Sequence, residues 1–241
     1  MQGVSHVDAL TPNAVFKCAR RRGYESDFQF QVDVPTVVLY TVYGGGPMFL
    51  PDVFRGKSEH ALRLLAENPL VTLVVQGEGS PEIAHAPMIA TSEGSLLGHV
   101  AARNPILGDI ERGARVTAIV RGPDGYVSPR YYASDDGHVP TWNYATAHIV
   151  GRFRRVDDDV KSLDELVLAF EGKDGWSPDW SDKRLGDLAS HIACFEIVIE
   201  SVAVKLKLGQ NRPRPDFEAS VRAFEQMGAS DLVRWMKLGR P

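Results

Sequence analysis

Three strand-like runs, LVTLVV (70–75), EIAHAPMIA (82–90) and SLLGHVA (95–101), follow one another across the turn-forming stretches GEGSP (77–81) and TSEG (91–94). A parallel crossover needs about a dozen residues, so links this short make the three runs antiparallel neighbours. Further strands are expected at ARVTAIV (114–120), 142–156 and FEIVIESVAVKLKL (195–208). In 142–156, Ala145, Ala147, Ile149 and Phe153 share one face, and Thr146, His148, Arg152 and Arg154 the other. In the last run the apolar positions are odd at Phe195, Ile197 and Ile199, then even at Val202, Val204, Leu206 and Leu208. Side-chain direction has period two, so one buried face requires a bulge or sharp bend near Ser201. Helical patterns occupy 58–67, 160–170, 184–192, 216–227 and 230–238, and Asn104-Pro105 reads as the capped start of another that ends at Gly113. Six or seven antiparallel strands with short peripheral helices, mainly β with α, imply a small closed or nearly closed barrel. The helices are too few and the turns too tight for a doubly wound α/β sheet.

Composition narrows the function classes. The net charge is −4, without the basic excess of a protein that wraps nucleic acid. The longest apolar runs are about five to eight residues, too short to cross a bilayer, so no membrane role is expected. No signal-peptide pattern opens the chain, and the two cysteines, Cys18 and Cys194, form no C-x-x-C, which suits a reducing cytoplasm. The seven histidines show no metal-ligand spacing, so no metal is expected. The first 47 residues differ from the rest: they carry little periodicity beyond VPTVVLYTV (34–42) and end in GGGP. They read as an appended arm, with the folded domain at 48–241.

Four motifs could carry chemistry. In GHVAARNP (98–105) a strand leads through small residues to Arg103 and a helix start, with His99 near the same turn. Helix-terminal amides and a guanidinium suit phosphate; the plainer alternative is a helix cap with an exposed arginine. In VPTWNY (139–144), Trp142 and Tyr144 offer stacking faces and Asn143 a two-way hydrogen-bonding group, or else a cluster closing the barrel. KLKLGQNRPR (205–214) holds four basic residues and no acid, either an anion contact or a solvated strand end. GYVSPRYY (125–132) reads as a strand with a break. Ser128 lies in no G-x-S-x-G elbow, and the glycines at 44–46 precede no Lys-Ser/Thr, so neither a serine hydrolase nor a P-loop is indicated.

Together MFLPDVF (48–54), NPLVTLVV with AHAP (84–87), GHVAARNP, GPDGYVSPRYY, VPTWNYATAHIVG and KLKLGQNR resemble the FMN-binding negative transcriptional regulators of the PaiB type, from Met48 to about Met236. That family is similar to the pyridoxamine-phosphate-oxidase-like split barrels. The resemblance implies a six-stranded Greek-key barrel, usually a homodimer, with FMN at the subunit interface. It implies a phosphate near His99, Ala101, Arg103 and Asn104, and a ring near Trp142, Asn143 and Tyr144. Lys207, Gln210 and Asn211 complete the cofactor set, with Lys205 or Lys207 the alternative phosphate contact. The family's basic residue after Ala101 is displaced here, with Ala102 in its place and Arg103 next. Its usual serine before Gln210 is Gly209, its usual tryptophan after Ser-Pro is Tyr131, and a 47-residue arm is rare in it. Two functions follow from the resemblance: a flavin-binding regulator, or a flavin-dependent oxidoreductase without a regulatory role. Nucleic acid enters as a partner by resemblance only, and no residue stands out as a catalytic acid or base. A third reading, a barrel that binds no cofactor and serves assembly, is separated from both by a flavin spectrum.

Overall fold

The computed structural model of the chain describes residues 14–17, 29–32, 48–76, 79–135 and 137–240. Six strands close into an antiparallel barrel: β3 (Leu70–Val75), β4 (Glu82–Ala90), β5 (Ser95–Ala101), β6 (Arg115–Val127), β7 (Thr141–Arg155) and β8 (Ile192–Lys207). Their order around the barrel is β3-β4-β5-β8-β7-β6. Two four-residue strands, β1 (Ala14–Lys17) and β2 (Gln29–Val32), pair antiparallel upstream, where the sequence showed no period. Runs that short are below what alternation can reveal. The VPTVVLYTV run and most of the expected arm lie outside the described residues.

The barrel interior is filled from alternate positions of every strand. Leu73, Met88, Leu96, Ile149, Phe195 and Ile197 supply bulk, while Ala84, Ala86, Ala118, Ala145 and Ala147 leave room for it. A barrel of few strands is narrow, and so many alanines at inward positions are what its width admits. The expected bulge exists. Val150 pairs with Ser201 and Gly151 with Ile199, so Glu200 is the extra residue of β8. A Cβ on Gly151 would strike the carbonyl of Val198, so the strands approach there as only glycine allows.

Helices pack around the barrel. α1 (Ser58–Glu67) buries Ala61, Leu64 and Leu65 in the core. α5 (Arg214–Gln226) and α6 (Ser230–Gly239) add Phe217, Phe224, Leu232, Trp235 and Met236 to it. The fully buried Trp235 donates its indole N–H to Glu67 at 2.7 Å, satisfying its polar atom. α3 (Asp159–Glu171) and α4 (Lys183–Ala189) cover a different, outer face. There Leu163, Leu166 and Ala189 pack on Leu97 and Cys194 as a second small core.

The helix expected from Asn104 is shorter and later: α2 spans only Leu107–Glu111, with Ile106 before it. Asn104 instead closes a turn, its side-chain oxygen accepting the Ile106 amide at 3.1 Å. Asparagine and the proline after it serve a turn as well as a cap, which is why the pattern misplaced the start. Five helical residues offer too little dipole for an anion site.

Candidate functional site

The end of β8 and the start of β7 run side by side, with Tyr144 opposite Lys207 and Thr146 opposite Lys205. The pleat sends Asn143, Ala145, Val204 and Leu206 inward and leaves Trp142, Tyr144, Lys205 and Lys207 on the outer face. Lys207 donates to the Trp142 carbonyl at 2.6 Å and also bonds the Thr141 hydroxyl. Lys205 donates to the Phe49 carbonyl at 2.8 Å and lies 5.4 Å from the Phe49 ring centre and 5.7 Å from that of Tyr144. Arg212, just beyond the strand, stacks 4.9 Å over Tyr132. Burial, then Arg212, then Lys205 lowers the pKa of Lys207 from the usual lysine value. Beside these cations the rings of Phe49 (82% exposed) and Trp142 (53%) face solvent, and Tyr126 meets Trp142 edge-on at 6.0 Å.

Several basic side chains elsewhere on the barrel are closed by acids. Arg115 and Arg152 pair with Glu200, Arg154 with Glu196, Arg155 with Asp159, and Arg234 with Glu67 and Asp231. Among the described residues no carboxylate forms an ion pair with Lys205, Lys207 or Arg212. Converging positive charge without a counter-ion, next to exposed flat rings, can take a planar aromatic ligand that carries a phosphate.

The ten residues singled out in the sequence fall into two groups. His99, Ala101, Arg103 and Asn104 lie at the far end of β5, where His99 pairs with Cys194 and Ala101 with Ile192 at the start of β8. Trp142, Asn143, Tyr144, Lys207, Gln210 and Asn211 gather at the other end, thirteen residues along β8 from Cys194 to Lys207. That is roughly 40 Å of strand path, so the two groups sit at opposite ends of β8. His99 is half-buried, its Nδ1 buried without a hydrogen-bond partner, and burial lowers its pKa. Ala101 and Arg103 are exposed, and no hydrogen bond or ion pair to another described residue holds the Arg103 side chain. Asn143 turns into the core, its amide nitrogen 3.7 Å from the Met236 sulfur. Gln210 is used by the backbone: it accepts the Leu208 amide at 2.8 Å and donates to the Val53 carbonyl at 3.1 Å. Its turn depends on Gly209, whose φ of +86° disfavours the serine usual in the family. Asn211 is exposed. The sequence reading held Arg212 within the basic run 205–214 but not in the cofactor set, and it missed Phe49, 156 positions from Lys205, the lysine it joins.

A family model described as "Putative FMN-binding domain" matches residues 48–201. The chain belongs to this FMN-binding family, and its cofactor is FMN. It is similar to "Protease synthase and sporulation protein PAI 2" of Bacillus subtilis, 28% identical over 180 residues, covering 70% of this chain and 86% of the relative. An uncharacterized protein of Emericella nidulans, AN0679, is also 28% identical, over 214 residues, covering 69% of this chain and 85% of the relative. Among solved structures, the FAD and haem binding protein of Mycobacterium smegmatis has a TM-score of 0.51 at 22% identity, covering 66% of this chain and 74% of that one. The flavocytochrome Anf3 of Azotobacter vinelandii has a TM-score of 0.51 at 15% identity, covering 64% and 69%. These likenesses support the fold: the chain is a PaiB-like FMN-binding split barrel. The unpaired cations and exposed rings at the β7–β8 end fit a flavin and its phosphate. The flavin, once bound, would supply the redox chemistry, and this chain's residues the grip and the surroundings. No helix among the described residues is long and apolar enough to cross a membrane.

Proposed function

We propose that FMN lies on the outer face at the β7–β8 end. Its phosphate meets Lys205, Lys207 and Arg212, and its ring lies against Trp142 and Tyr144. The observation that carries this is the set of three cations without a carboxylate partner beside exposed aromatic faces. The protein works as a homodimer in the cytoplasm, and the His99–Asn104 end of a second protomer completes the flavin's surroundings. An outer face not covered by α3 and α4, with Leu70 68% and Ile83 61% exposed, supports a subunit contact. Residues 48–241 form the flavin-binding domain, and residues 1–47 are an appendage to it. The biological role is regulatory, a reading supported by the resemblance to the PaiB-type regulators and the likeness to the Bacillus subtilis relative.

Titrating apoprotein with FMN should quench flavin fluorescence with micromolar or tighter affinity, about −8 kcal/mol. Lys207→Ala should weaken FMN by about 1.5–3 kcal/mol, the range for a hydrogen bond to a charged group. Riboflavin, which lacks the phosphate, should barely change. Quenching that stays absent at tens of micromolar sinks the proposal. Equal losses for both flavins move the phosphate elsewhere.

A further inference from the structure

The loop between β6 and β7 carries Ser134 and His138, and α5 brings Asp216 against it. Ser134 Oγ lies 2.8 Å from His138 Nε2 and donates to Asp216 Oδ2 at 3.0 Å. A serine, a histidine and a carboxylate this close invite comparison with a hydrolytic triad. In a triad the acid holds one imidazole nitrogen and the serine meets the other. Here Asp216 lies 3.3 Å from Nε2, the same nitrogen that meets Ser134. The serine proton is directed at the carboxylate, so the hydroxyl is not activated. Asp216 is instead an anchor: the amides of Ala133 and Ser134 each donate to its Oδ1 at 2.9 Å, and it is almost wholly buried. Burial raises its pKa, but the hydrogen bonds from Ser134 and Ala133 and the nearby His138 outweigh that and hold it below the usual value.

This arrangement leaves Nδ1 of His138 free of the acid, and Arg212 approaches it with Nη1 at 3.4 Å. A guanidinium only donates, so Nδ1 is the acceptor and Nε2 carries the proton. Tyr132 holds the other side of the assembly, its ring 4.3 Å from that of His138 and 4.9 Å beneath the Arg212 guanidinium. The backbone oxygen of Arg212 accepts from Arg240 at 2.6 Å, which fixes the turn as well as the side chain.

We propose that Asp216, Ser134 and His138 are positioning residues that aim Arg212 at the anionic end of the flavin site. The inference rests on the reading that places the phosphate on Lys205, Lys207 and Arg212. Its physical basis is pre-organisation: an arginine held in place by a stack and an acceptor loses less freedom when it meets its ligand. Ser134 and Asp216 therefore act on affinity for the phosphate without touching it.

The experiment is a double-mutant cycle read by FMN and riboflavin titration of apoprotein, with melting temperature recorded for each variant. Arg212→Ala should weaken FMN about tenfold and riboflavin by less than about twofold. His138→Ala should weaken FMN about threefold to fivefold and leave riboflavin alone. In the Arg212→Ala background, His138→Ala should cost nothing more, since residues of one network do not add. Ser134→Ala, a milder change that keeps the imidazole, should show the same FMN-only loss at smaller size if His138→Ala fails to fold. Additive losses in the double variant, or equal losses for both flavins from His138→Ala or Ser134→Ala, overturn the relay. If Arg212→Ala keeps full discrimination while Lys207→Ala loses it, the relay falls and the phosphate reading stands. If neither variant affects discrimination, the phosphate reading falls first and takes the relay with it.

Discussion

The two ends of β8 carry similar charges in opposite states. Around its first half, basic side chains are closed by acids. Arg155 is bidentate on Asp159, Arg154 pairs with Glu196, and Arg115 and Arg152 share Glu200. Asp159 also takes the Cys194 amide at 2.7 Å, which ties α3 to the strand. At the other end Lys205, Lys207 and Arg212 have carbonyls, a hydroxyl, rings and an imidazole for neighbours, and among the described residues no acid forms an ion pair with them. One end uses its charge to join strand to strand and, through Asp159, α3 to the barrel, while at the other the charge has no counter-ion among the described residues. A basic residue therefore points to a site only when its counter-ion is missing.

The sharpest way to break this contrast is to reverse the sign at the open end. Lys207→Glu should cost FMN more than about hundredfold, through a lost charge-assisted bond and added repulsion, with riboflavin little changed. Comparable losses for both flavins would mean that the open end does not read the phosphate.

At the closed end, Asp159→Asn should lower stability by about 1–3 kcal/mol, seen in urea denaturation, and leave flavin discrimination intact. Its pH dependence is specific. Burial raises the Asp159 pKa, but the Arg155 hydrogen bond and the Cys194 amide bring it below 3.8 overall. A depressed folded pKa stabilises the protein above the unfolded value, and that contribution is lost as pH falls through the folded one. The wild type should thus lose stability below about pH 4 more steeply than Asp159→Asn. Matching acid slopes would remove Asp159 from the account.

A smaller effect concerns Cys194 beside that pair. Burial, and secondarily the Asp159 charge, pushes its thiol up to about 12. The folded protein should resist iodoacetamide at this residue at neutral pH and react once unfolded, as mass spectrometry of the tryptic peptide would show. Rapid native labelling would reveal an opening of the α3–α4 cover.

The smallest expected effect is that of Arg103→Ala. Exposed and unpaired at the far end of β5, it should change FMN affinity by no more than about twofold. A tenfold FMN-only loss would make Arg103, brought to the flavin by the second protomer, a phosphate contact.

Much of the barrel was legible in the residues. The turns around 77–81 and 91–94 imposed antiparallel pairing, and the change of phase between Ile199 and Val202 located the bulge within one residue. Helices α1, α3, α5 and α6 lie within two residues of their expected limits. Asn104 misled because a turn and a helix cap use the same side-chain chemistry. The site was half legible. VPTWNY and KLKLGQNR meet at the end where Lys205, Lys207 and Arg212 gather, but the first could not reveal that Asn143 faces Met236, nor the second that Gln210 is consumed by Leu208 and Val53.

Strand direction, the buried face of each strand, the bulge and the family are local properties, set by a two-residue period and by motifs in order, and the sequence alone determined them. Which cations remain unpaired is not local. Glu200 reaches Arg115 from 85 positions away and Glu196 reaches Arg154 from 42, whereas no acid reaches Lys207 among the described residues. Only closure of the barrel decides which charges meet. Coulomb attraction depends on distance in space, and the chain's order does not reveal it.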